Sequence, residues 1–186
     1  MKNLALDVPD CFAIARNDRN GSFGLSPINF NQTLFLRRHK AMNAAEQANN
    51  FQVASKIAAV VNLFKSHFPD VRVDLKPWTN DPETRELVDP DSIDIGFHFP
   101  GRSRLLQSRC ILVQIRFYQD PLEAYRRVIG VEAAGYDHRG QQWKLSTVDN
   151  WVFVGATEPA PESAAKLKEF CYQIFELFND VAAYNN

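Results

Sequence analysis

Long apolar runs are missing from this 186-residue chain. No stretch approaches the roughly 20 residues that span a bilayer, so no membrane role is expected. Cysteine is scarce as well. The three thiols, Cys11, Cys110 and Cys171, are widely separated and odd in number, which fits neither a disulfide framework nor the close pairing of a structural zinc site. They read as core thiols of a reducing compartment. Asp7, Pro9 and Asp10 interrupt the first apolar residues before a signal-peptide core can form, so a cytoplasmic location is expected.

The glycine-dependent signatures are missing too: no Gly-x-x-x-x-Gly-Lys-Ser/Thr phosphate loop, no Gly-x-Gly-x-x-Gly turn and no Gly-x-Ser-x-Gly elbow occur, and there is no His-Glu-x-x-His zinc motif. Gly130 and Gly135 flank Val131 to Ala134 of a predicted strand, where glycine relieves crowding or permits a bulge. The four histidines, His39, His67, His98 and His138, stand in different segments without metal-ligand spacing. Neither a metal nor a cofactor is expected, and no residue is assigned as catalytic.

What the chain does contain is enough apolar mass to fold. Its composition is 45% hydrophobic and 12% aromatic, with 14 Phe and 3 Trp, which offsets the conformational entropy of ordering a chain of this length. One α+β domain over 1–186 is the economical reading. Net charge is −1 but unevenly spread: 1–67 carries +4, 70–94 carries −5, 101–140 carries +3 and 141–186 carries −3. Blocks of opposite sign can neutralise one another after folding. An overall basic balance or a recognisable nucleic-acid module is missing, so nucleic acid is not an expected partner.

Along the chain, 1–30 is irregular and rich in Asn, Gly and Ser near its end. Asn43 followed by Glu46 resembles a capping box, and Phe51, Ala54, Ile57, Ala58, Val61 and Phe64 then recur at helical spacing; together they predict one long helix over 44–67. After Pro69 the period becomes two. Strands are predicted over 71–76, 93–99, 110–118, 128–136, 143–147 and 151–154, with an acidic, proline-bearing loop at 77–90. Leu167, Phe170, Cys171, Ile174, Leu177, Phe178 and Val181 form one face of a C-terminal helix. The expected architecture is a single antiparallel β-meander of five or six strands packed against the helix of the N-terminal half and the C-terminal helix.

Strand alternation collects one set of polar side chains. If Ile93, Ile95 and Phe97 face the helices, Asp94, Gly96 and His98 face away. The next strand then sends Gln114, Arg116 and Tyr118 to that second face, and the following one sends Val128, Gly130, Glu132, Ala134 and Tyr136 there, with Ile129 on the helix side. Asp94, His98, Gln114, Arg116, Tyr118, Glu132 and Tyr136 are therefore the candidate ligand-binding residues, around a floor of Gly96, Gly130 and Ala134. The expected function is a non-enzymatic binding or interaction module with a site for a small anionic or polar ligand. The alternative is a small enzyme in which Asp94 or Glu132 orients His98 for acid–base work. Another protein or a second copy of the chain is the expected partner, through an edge strand at 71–76 or 151–154.

Overall fold

The period-two segments fold as strands. The computed structural model describes residues 43–78, 91–119 and 126–179. Its elements run α1 (Ala44–Gln47), α2 (Phe51–His67), β1 (Arg72–Asp74), β2 (Ser92–Ser103), β3 (Ser108–Gln119), β4 (Arg126–Asp137), β5 (Gly140–Ser146), β6 (Phe153–Gly155) and α3 (Pro161–Asn179). The strands form one six-stranded sheet in chain order, with every neighbouring pair antiparallel. This is the expected α+β meander. The 1–30 segment, Cys11, Val181 and residues 79–90 of the acidic loop lie outside the described residues.

One face of the sheet carries the main core. Ile95, Val113, Ala133 and Leu145 occupy one rung across β2 to β5 and are fully buried. Phe64 of α2 ties three elements together, stacking on Phe97 of β2 at 3.8 Å and meeting Phe170 of α3 edge-on at 5.1 Å, geometries that aromatic quadrupoles favour. Cys171 of α3 sits in the same core, where burial pushes its thiol up to about 12; Cys110 is buried on the opposite face of the sheet, beside Leu112, Ala134 and Tyr136. Gly135 pairs with Trp143 in the β4–β5 register. A β-carbon at 135 would run into the buried indole ring, so glycine here makes room for the largest core side chain.

Two expectations are corrected. The helix predicted over 44–67 is broken between Gln47 and Phe51, because Asn50 takes an extended backbone and its side chain accepts the Val53 N–H at 2.9 Å, starting a new helix. Phe51 is consequently 86% exposed rather than part of the buried face, which is Ile57, Val60 and Phe64. Asn43 makes no side-chain cap; its amide is bonded to the backbone of Trp78 instead. The second correction is in β4. Arg116 pairs with Gly130 and Phe117 with Val128, so Ile129 is an extra residue of a bulge. The insertion turns Val128 into the core at 3% exposure and leaves Ile129 at 52%, the reverse of strict alternation.

Candidate functional site

The register brings most of the candidate residues onto the face opposite the helices. Asp94, Gln114, Glu132 and Ser146 share one rung, His98, Cys110 and Tyr136 another, and Ser92, Arg116 and Gly130 a third. They do not form one open site. Burial divides them into a sealed group and an accessible one.

The sealed group is Asp94, Gln114, His98 and Tyr136, each at 6% exposure or less. Trp78 lies over this part of the sheet and packs with Cys110, Leu112, Ala134 and Tyr136. Its indole Nε1 donates to Asp94 Oδ2 at 2.6 Å, and Gln114 Nε2 donates to the same oxygen at 3.0 Å. These donors offset the large cost of taking a carboxylate out of water. Asn43 fixes the backbone of Trp78 from both sides: its Oδ1 accepts the Trp78 N–H and its Nδ2 donates to the Trp78 carbonyl, each at 3.0 Å. Asn43 also bridges to Asp94 through the backbone. Two segments 35 residues apart in the chain are thereby clasped onto β2.

His98 does not stand beside Asp94. Four residues along the same strand separate them, roughly 13 Å at the rise of an extended chain. Its carboxylate neighbour is Asp74 of β1, with Nε2 at 3.7 Å from Oδ2. The His98 ring is the largest cause holding the Asp74 carboxyl below its ordinary value; partial burial opposes it, and the Lys76 N–H, donating to Asp74 Oδ1 at 2.8 Å, adds to it. Tyr136 donates its hydroxyl to Gln141 at 3.3 Å. These contacts tie β1 to β2 and β4 to β5.

The accessible group lies at the other end of the same face. Arg116, Gly130, Glu132, Ser146, Val148 and Asp149 line a cleft of about 190 Å³. Glu132 is paired with Lys144 at 3.3 Å. The turn after β5 is pinned over the cleft by Thr147, whose N–H donates to the Val131 carbonyl at 3.0 Å and whose hydroxyl accepts the Val131 N–H at 2.8 Å. Gly130 permits this approach, since a β-carbon there would come 2.5 Å from Val148 Cγ2. Tyr118 stands apart from both groups; it is 44% exposed and lies against the Arg127 guanidinium at 5.6 Å. Among the described residues no cluster of three or more His, Cys, Asp or Glu has the placement to hold a metal.

A family model described as a domain of unknown function matches residues 45–180, well over half of the chain. The chain belongs to this family. The matched interval contains both groups of the second face and all six strands, while Asn43 falls just outside it. No curated protein and no solved structure matches.

Asn43 and Trp78 are the residues that sequence reasoning missed. One signal was present: Asp94 sits inside an apolar strand, and a carboxylate there requires donors from outside its own strand. Their identity depends on a long-range contact that no local pattern encodes.

Proposed function

We propose that the protein is a cytoplasmic, non-enzymatic interaction module whose partner is another protein or another copy of itself. The observation that carries this reading is the sealing of the polar face. His98 is 6% exposed and Asp94 fully buried, and Asp94 and Glu132 share a rung apart from that of His98, which favours a binding role over acid–base work. Among the described residues, a small polar cleft and an apolar sheet edge at Val152 and Val154 reach solvent on this face. The buried free thiol Cys171 supports a reducing compartment. Incubation of the purified protein with a broad metabolite panel tests the module reading, and no turnover is expected. Turnover that disappears in His98→Ala while the variant keeps its fold would establish the enzyme instead.

A second reading concerns the Arg116 cleft, whose guanidinium, Ser146 hydroxyl and paired Glu132 suit a small polar or anionic ligand. Thermal-shift screening of small carboxylates and phosphates against wild type and Arg116→Ala tests it. A stabilisation that survives in Arg116→Ala places the ligand elsewhere.

A further inference from the structure

The two edges of the sheet, β1 and β6, are built differently. β1 and its continuation carry Arg72, Asp74 and Lys76, charges that discourage strand addition. Its backbone is also engaged, because the Leu75 carbonyl accepts the Ala45 N–H of α1 at 3.0 Å and the Lys76 N–H is taken by the Asp74 side chain. At the opposite edge, residues 151–156 read Trp, Val, Phe, Val, Gly, Ala without a charge. Among the described residues no strand pairs with the outer side of β6.

Apolar side chains flank this edge on both faces. Val154 pairs with Lys144 and so lies on the face opposite the helices; it is 56% exposed, and Val152, two residues earlier, is 57% exposed. On the helix side Trp151 stacks on Tyr172 of α3 at 4.3 Å, and Tyr172 is 59% exposed. Trp151 holds this position with φ at 57°, a conformation that a bulky residue adopts only where its surroundings impose it.

We infer that β6 pairs with β6 of a second copy, antiparallel across a two-fold axis, continuing the sheet from one copy into the next. This rests on the interaction-module reading and names its partner. The occupant follows from self-complementarity. A two-fold axis sets the 151–156 segment against itself, so no like charges meet along it and valines face valines on one side. On the other side the Trp151–Tyr172 stacks of the two copies approach. An incoming strand of alternating polar pattern would leave one of these apolar faces uncovered, whereas the segment itself is apolar on both.

Sedimentation of the full chain over a wide concentration range, together with amide hydrogen exchange, tests the pairing. Wild type forms a dimer, and protection of amides within 151–155 rises with concentration. Replacing Val152 and Val154 by Lys together sets four like charges into the junction and raises the dimer dissociation constant by about a hundredfold. Both side chains are exposed, so circular dichroism of the double variant matches wild type. A strict monomer at every concentration overturns the pairing, as does a dimer indifferent to the two lysines. So does concentration-independent protection of 151–155 in a monomer, which assigns the edge to the chain's own residues. These outcomes leave the module reading standing, whereas turnover lost with His98 overturns that reading whatever the mass.

Discussion

The Trp78 indole and the Asp94 carboxylate are 2.6 Å apart, donor to acceptor, and both residues are buried. This bond joins the segment after β1 to the start of β2, and a carboxylate acceptor makes such a bond stronger than one between neutral groups. Trp78→Phe keeps most of the ring's apolar contacts but removes the donor. A loss of about 2 kcal/mol is expected, the usual worth of a hydrogen bond to a charged group. Urea denaturation measures it. A loss too small to resolve would mean that Gln114 and the rest of the surroundings hold the carboxylate unaided.

Asp74 and His98 give the fold a pH-dependent contact. The Asp74 carboxyl is held below its ordinary 3.8 chiefly by the His98 ring. A depressed carboxylate pKa contributes stability that is present above the unfolded value and is lost as pH falls through the folded one. Asp74→Asn is therefore less stable than wild type near neutrality, and the gap closes as pH drops below 3.8. Because the Asp74 side chain is 37% exposed, solvent screening keeps the neutral-pH difference under about 1 kcal/mol. Denaturation curves of the two proteins at several pH values check the sign. A gap that widens in acid contradicts it.

Three glycines have different neighbours, and the order of their alanine substitutions follows. At Gly155 φ is +150° and a β-carbon would meet the backbone carbonyl of Gln142, which cannot swing aside without breaking the β5–β6 ladder. Gly155→Ala is expected to cost about 3 kcal/mol. At Gly135 the obstacle is the Trp143 ring, fully buried and donating to the Leu106 carbonyl, so about 2 kcal/mol is expected. At Gly130 the obstacle is Val148, which is 68% exposed and free to turn; the change stays under about 1 kcal/mol and narrows the Arg116 cleft. Thermal unfolding of the three variants tests the order, and Gly130→Ala as the most damaging would refute it.

The same contrast between local and distant causes governs what was legible in the sequence. Alternation at Ile93, Ile95 and Phe97 named a strand and its faces, because side-chain period is a local property of the extended chain. The rung of Asp94, Gln114 and Glu132 followed from that alternation combined with a register that places them opposite one another. The bulge at Ile129 was not legible, since an extra residue is defined only against its partner strand. Nor was the break before Phe51, where helical spacing runs on across Asn49 and Asn50 although Asn50 caps a new start. Above all, the second face reads as an open polar surface until Trp78 is placed on it. Trp78 stands in an acidic, proline-bearing segment, whose composition describes a loop and is silent about where its one indole lands.

Trp151 supplies the last test, because two effects of similar size oppose each other there. Its left-handed backbone, with φ at 57°, costs a residue with a β-carbon about 1 to 2 kcal/mol. The stack on Tyr172, with ring centres 4.3 Å apart and planes 20° from parallel, returns about 0.5 to 1.5 kcal/mol beyond the area it buries. Trp151→Ala loses the stack and keeps the backbone cost. Trp151→Gly loses the stack but is relieved of the backbone cost, since glycine enters this region freely. Glycine is therefore expected to be more stable than alanine at 151 by about 1 kcal/mol. That is the reverse of their order in a regular strand or helix. Urea denaturation at low protein concentration, where association contributes nothing, measures the difference. An alanine variant as stable as the glycine variant would show that the backbone at 151 relaxes once the indole is gone, and that the stack with Tyr172 is what holds it left-handed.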